Sequence, residues 1–138
     1  MVRAIPYLAF DGNCREAMEF YQRCLGGNLS IMKVGDGPGG ENLPPAAREK
    51  VMHAQLEVGS VMVMAADYQG EGKPVAGTKV CIMLDCETEE EIRRVHADLS
   101  AGGQIGTPLA EQFWGAVYGD FTDRYGIGWM VNWDKPLV

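Results

Sequence analysis

The chain has 138 residues and a formal net charge of −7, from 12 Lys and Arg against 19 Asp and Glu. That balance, with no basic stripe anywhere, excludes nucleic acid as an expected partner, because a phosphate backbone has to be met by clustered cations. Hydrophobic residues make up 46% and charged residues 22%, which fits one globular domain rather than a disordered or fibrous chain. The longest apolar stretch, residues 58–66, falls well short of the roughly 20 residues needed to span a bilayer, so no membrane partner is expected.

Met1-Val2-Arg3 leads into a short strand-like run without the apolar core and small-residue cleavage site of a signal peptide. A cytoplasmic location is therefore expected. The four cysteines, Cys14, Cys24, Cys81 and Cys86, contain no C-x-x-C pair, and a reducing compartment argues against disulfides, so they read as small apolar residues.

Residues 4–10 form a short apolar strand bounded by Asp11-Gly12. Asn13, three residues before Glu16, has the spacing of a capping box and starts a helix. Ala17, Met18, Phe20, Tyr21, Cys24 and Leu25 give that helix one broad apolar face, and Gly26-Gly27 stops it. A second strand follows over residues 28–34, then a glycine- and proline-rich loop to residue 50. Loops of this length in small domains are more often functional or mobile than merely connecting. Residues 51–58 and 60–66 read as a hairpin turning at Gly59-Ser60.

The only linker-like stretch is residues 68–77, after which the pattern restarts. A strand over residues 78–84 precedes Thr88 and Glu91, again with capping-box spacing. The helix behind it carries Ile92, Val95 and Leu99 on one face and ends at Gly102-Gly103, while His96 beside that stripe is expected at the surface. Strands over residues 104–109, 116–122 and 127–133 complete the second half. The order βαβββ is thus read twice, in modules of residues 1–67 and 78–138, and the two caps and two Gly-Gly stops recur at nearly the same spacing. The alternative is an ordinary α+β sheet without internal symmetry.

Glu111-Gln112-Phe113-Trp114-Gly115, Tyr118-Gly119 and Thr122-Asp123-Arg124-Tyr125-Gly126-Ile127-Gly128-Trp129 closely resemble the end of PhnB-like proteins, a branch of the glyoxalase-like, vicinal-oxygen-chelate superfamily. Pro6-Tyr7-Leu8-Ala9-Phe10, Asn13, Ala17 with Glu19-Phe20-Tyr21, Leu25-Gly26-Gly27 and Met52-His53-Ala54 resemble the same family in the same order. The resemblance implies an α+β fold of two tandem βαβββ modules making a cupped, eight-stranded sheet around a cavity, commonly in a homodimer.

It also implies where a metal would sit. Metal-using members hold a divalent ion with His, Gln and Glu on strands of both modules, leaving positions at which a substrate chelates. By that comparison Met130, four residues after Gly126, stands where a Glu is usual, Pro6 lies near the first-strand His, and residues 78–84 contain no His, Glu or Gln. Thioether is a poor ligand for hard divalent ions. No cofactor is predicted, and a divalent metal would have to rely on His53.

Strand alternation puts His53 and Gln55 on one face, with Ala54, Leu56 and Val58 packing under a helix on the other. Gly128, Met130 and Asn132 likewise share a face opposite Trp129 and Val131. His53 is the candidate catalytic group, with Asp67 or Glu111 as conceivable orienting carboxylates. Its bland reading is a histidine satisfied by backbone groups. Tyr7, Gln55, Trp114, Tyr118, Met130 and Asn132 are the candidate ligand contacts, with Trp114 and Tyr118 on the cavity rim and Phe10 in the core. Met52, Met62, Met64 and Met130 form a possible soft lining, though adaptable core filler is the blander role. At Ala116-Val117 many relatives carry Asp-Arg, so no anion-binding role transfers there.

No phosphate loop and no Gly-x-Ser-x-Gly elbow occurs. Relatives of this branch are often labelled demethylubiquinone methyltransferases, but no glycine-rich turn after a first strand would hold a methyl donor. Three readings stay open: a small-molecule binder lacking the usual metal, a metal-dependent lyase, dioxygenase or transferase rearranged around His53, and a dimeric protein sequestering an antibiotic or metabolite.

Overall fold

In a computed structural model, which describes residues 1–136, the chain divides into two compact units, Met1–Val75 and Ala76–Val138. Residues 137 and 138, the end of the second expected module, lie outside the described residues.

In unit 1, β1 (Tyr7–Phe10), α1 (Cys14–Leu25), β2 (Asn28–Lys33), α2 (Pro45–Arg48), β3 (Val51–Val58) and β4 (Val61–Asp67) follow in chain order. The sheet order is β1-β4-β3-β2, with β1 parallel to β4 and the other pairs antiparallel. Helix α1 packs mainly on β3, because its buried positions Cys14, Ala17, Met18, Phe20, Tyr21 and Cys24 recur at helical spacing and meet the inward residues Ala54, Leu56, Val63 and Ala65. The second strand, expected to residue 34, ends at Lys33, and the loop expected over residues 35–50 contains two single 3-10 turns, the first starting at Val34, as well as α2.

The expected capping box at Asn13 is not made: Asn13 occupies the N-cap, but its side chain accepts no capping hydrogen bond. Asp67, at the end of β4, takes over. Its Oδ1 accepts from Cys14 N at 3.0 Å and its Oδ2 from Val51 N at 2.8 Å, so one carboxylate, 3% exposed, fixes both the start of α1 and the start of β3.

Unit 2 repeats the topology. Strand β5 (Ile82–Asp85), helix α3 (Glu89–Ser100), β6 (Gln104–Ile105), β7 (Ala110–Glu111), β8 (Ala116–Thr122) and β9 (Gly128–Asp134) give the order β5-β9-β8-β6, with β7 also on β8 and β5 parallel to β9. The strand expected over residues 104–109 is therefore reduced to β6 at its start, with β7 a separate short piece just beyond it, and the described residues form sheets of four and five strands. The break has a cause: Gly106 and Pro108 disfavour a continuous ladder, and Thr107 N instead donates to the Asp120 side chain at 2.7 Å.

Thr88 caps α3 as expected, its Oγ1 accepting from Glu91 N at 3.0 Å, but the box is not closed: Glu91 Oε1 accepts from Glu87 N at 3.0 Å, one residue before the cap, rather than from the Thr88 amide. Ile92, Val95 and Leu99 are buried, and so is His96, 9% exposed, which corrects its expected surface position. It lies four residues after Ile92, on the stripe itself, and its ring stands edge-on to Phe121 with centroids 5.4 Å apart.

The Asp123-Arg124-Tyr125-Gly126 turn is structural. Asp123, 3% exposed, accepts from Trp129 Nε1 at 2.8 Å on one oxygen and from Tyr125 N and Ile127 N at 2.8 and 3.0 Å on the other. The indole thus enters the core with its N–H satisfied. Among the described residues no helix is long and apolar enough to cross a membrane. None of the four cysteines is in a disulfide; three are buried and Cys81 is exposed. Burial pushes the Cys14 thiol up to about 12 and the Cys86 thiol up to about 11, so neither is a ready nucleophile.

Candidate functional site

Each sheet has one face under its helix and one without. On the helix-free face of sheet 1, pairing across strands places Tyr7 opposite Met64, Met64 opposite Gln55, and Gln55 opposite Ser30, with Met32 opposite His53 on the same face. His53 and Gln55 are half-buried while Ala54 and Leu56 are fully buried, as strand alternation requires. A hydrogen bond of 3.1 Å joins Tyr7 Oη to His53 Nδ1, and the two rings lie 5.8 Å apart at 38°. The tyrosine reaches across β4 to do this.

Both carboxylates considered as orienting partners for His53 have other partners within their own units. Asp67 serves the starts of α1 and β3, and Glu111 pairs with Lys135 Nζ at 3.0 Å. Tyr7 is the partner, and identifying it requires the register of β1 on β4 on β3, which local pattern does not contain.

On the helix-free face of sheet 2, Tyr118 lies opposite Asn132 and Asn132 opposite Asp85, while Asp120, Met130 and Met83 form the adjoining row. Tyr118 Oη donates to Asp120 Oδ2 at 2.9 Å, and Asn132 Nδ2 donates to Asp85 Oδ1 at 3.0 Å and Asp134 Oδ1 at 3.3 Å. Burial first, and then the bond to Asp120, pushes the Tyr118 hydroxyl up to about 12, so it remains a donor at neutral pH. Burial alone would raise the Asp120 carboxyl, but the Thr107 amide and the Tyr118 hydroxyl together hold it below its ordinary value. Sequence reading named Tyr118, Met130 and Asn132 but missed Asp85 and Asp120. The signal for Asp120 was present, since it alternates with Tyr118 and so shares its face.

Trp114 differs. It sits in the β7–β8 connection, 58% exposed, with its ring 4.9 Å from that of Phe113, where Gly115 at φ +93° closes the turn on Gln112. A turn residue of this kind is not on a strand face with Tyr118. Phe10 is in the core as expected. Met62, Met64 and Met130 are not core filler: alternation sets them, half-buried, on the helix-free faces, and Met52 is exposed. Among the described residues no three His, Cys, Asp or Glu side chains are grouped so as to hold a metal ion.

Comparison with known proteins bears on the family. The model of the Glyoxalase/Bleomycin resistance protein/Dioxygenase superfamily matches residues 4–131. Protein YjdN of Escherichia coli K12 is 32% identical over 140 aligned residues, covering 92% of both chains. The crystal structure of protein PA1353 from Pseudomonas aeruginosa superposes with a TM-score of 0.86 at 38% identity, covering 99% of this chain and 100% of that one. A Bacillus cereus protein described as a putative 3-demethylubiquinone-9 3-methyltransferase, PhnB protein, gives a TM-score of 0.76 at 25% identity, covering 96% and 99%, which supports a PhnB-like branch. With its family match, its paired βαβββ topologies and its residue identities, this chain belongs to the Glyoxalase/Bleomycin resistance protein/Dioxygenase superfamily.

Proposed function

We propose that the chain binds a small organic molecule on the helix-free face of sheet 1, with His53 as the group that meets it and without a divalent ion held by the protein. The observation that carries this reading is the Tyr7–His53 hydrogen bond. A neutral imidazole has one N–H and one lone pair. With Nδ1 engaged by the tyrosine, the ring is oriented and Nε2 is left for a ligand. If the Tyr7 hydroxyl donates, Nε2 carries the proton and meets a carbonyl or carboxylate oxygen; if it accepts, Nε2 offers a lone pair to a ligand O–H or N–H. The Gln55 amide beside it provides both a donor and an acceptor, and Met32 and Met64 provide adaptable apolar surface. A few convergent polar groups on an apolar floor are the usual makeup of a small-molecule site.

The donor set does not suit a protein-held divalent ion. By the resemblance, Met130 stands where metal-using relatives have a Glu and the first-strand His position falls near Pro6, and no three suitable side chains are grouped among the described residues.

The test is a thermal-shift screen of the purified protein against a metabolite panel, followed by calorimetric titration of any stabilising compound. His53→Ala and Tyr7→Phe are expected to weaken that binding by about tenfold or more, equivalent to about 1.4 kcal/mol. Unchanged affinity in both variants, or a stoichiometric divalent ion in protein purified without added metal that disappears in His53→Ala, would overturn the reading.

A further inference from the structure

We infer that His96 is an acid-operated lock on strand β8: protonation of its ring releases α3 from β8, and with it the Tyr118–Asp120 pair carried on the other face of that strand. Nε2 of His96 is buried and has no hydrogen-bond partner among the described residues. The ring occupies space that only glycine leaves open. A Cβ placed on Gly119 would stand 3.2 Å from His96 Cδ2, 3.3 Å from its Nε2 and 3.2 Å from Leu109 Cα. The imidazole thus replaces the missing side chain of residue 119 in the layer between α3 and the sheet, held edge-on by Phe121.

Residues 118 and 120 flank that glycine. Val117, Gly119 and Phe121 are buried on the α3 side of β8, while Tyr118 and Asp120 point the other way and are bonded to each other at 2.9 Å. Any withdrawal of the ring from Gly119 therefore acts on the peptide units that carry both.

A charged imidazolium has no compensation in this position. From β8, the facing residues Val117, Gly119 and Phe121 carry no charge, and the nearby carboxylates are engaged elsewhere: Asp120 by Tyr118 and Thr107, Asp123 by Trp129 and its own turn. From β9, the inward residues are Trp129 and Val131. On α3 itself Glu89 and Arg93 pair with each other at 3.2 Å, and Glu90, Arg94 and Asp98 are exposed. An imidazolium N–H buried without acceptor or counter-charge is strongly disfavoured, and burial accordingly moves His96 below the ordinary value of 6.5. The folded pKa being lower than the unfolded one, the stability this residue contributes is complete above 6.5 and is lost as pH falls from there through the folded value.

Because the chain has only two histidines, His53 and His96, imidazole NMR signals assigned with a His53→Gln variant read the titration directly. The expected result is that His96 titrates below 6.5, and that amide exchange of α3 and β8 accelerates over the same pH interval while that of α1 and β3 does not. The urea midpoint of the wild-type protein should also fall between about pH 7 and about pH 5, and His96→Phe should flatten that fall. Titration at or above the ordinary value, uniform acceleration in both units, or an unchanged pH slope in His96→Phe would each overturn the inference. Should His96→Phe not fold, the wild-type titration and exchange decide alone.

Discussion

Replacing Asp123 probes the part of unit 2 most dependent on one side chain. Its carboxylate accepts from the Trp129 indole at 2.8 Å and from the amides of Tyr125 and Ile127 at 2.8 and 3.0 Å. Asp123→Ala leaves these three donors without that acceptor. A buried donor left unpaired costs about 1–3 kcal/mol. The indole is 1% exposed and has to bear the whole penalty, whereas the half-buried turn amides can recover part of theirs from water. A total of about 3–5 kcal/mol follows, a large part of the ~5–15 kcal/mol typical of a domain. Asp123→Asn keeps one oxygen. Turned toward the two amides, it leaves its NH2 facing the indole N–H, so a single mismatch of about 1–3 kcal/mol is expected. Trp129→Phe removes that donor, and the Asn substitution should then cost less, with a coupling of roughly 1 kcal/mol in the double-mutant cycle. Urea unfolding followed by far-UV circular dichroism measures all five proteins, the four of the cycle and Asp123→Ala. An Asp123→Ala variant within about 1 kcal/mol of wild type, or strictly additive effects in the cycle, would refute the assignment.

Asp67→Ala should cost about 2–4 kcal/mol by leaving two buried amides unpaired, and hydrogen exchange at Cys14 and Val51 should rise more than elsewhere in unit 1. Thr88→Ala should lower stability by about 1 kcal/mol, since its hydroxyl caps α3, whereas Asn13→Ala should change it by less than about 0.5 kcal/mol because no side-chain cap is made there. Iodoacetamide at neutral pH should label Cys81 and spare buried Cys14 and Cys86 in the folded protein, as read by peptide mass spectrometry; labelling of Cys14 at a comparable rate would contradict the burial that raises its thiol to about 12.

Much of the fold was legible because its signals are local. The apolar stripe of α1, the Thr88 cap, the β3–β4 hairpin and the long strands of unit 2 follow from periodicity and turn chemistry within a few residues. The failures came from interactions that arrive from far along the chain. Asn13 has the identity and spacing of a cap, yet Asp67 of β4 reaches the helix start first. His96 occupies an apolar-stripe position, but its polar identity argued for the surface, and nothing nearby announced that Gly119 would make room for it. Gly106 and Pro108 did announce a break between β6 and β7, and a stricter reading of those two residues would have split the strand.

The candidate site divides along the same line. Alternation alone sets His53 with Gln55 and Met130 with Asn132, because a strand's two faces are decided by parity. What each group touches is decided by register, and within unit 1 register brings Tyr7 to His53 while Asp67 serves the starts of α1 and β3. Asp67 and Asp123 each present both oxygens to backbone or indole N–H groups, so they are committed to holding the fold. On the helix-free faces, the described polar groups with open valence are His53 at Nε2 and the Gln55 amide in unit 1, and in unit 2 the acceptors around Tyr118, Asp120 and Asn132. The proposed ligand should therefore be tested against His53, Gln55 and the half-buried methionines of sheet 1, with Asp67 and Asp123 variants as controls for stability.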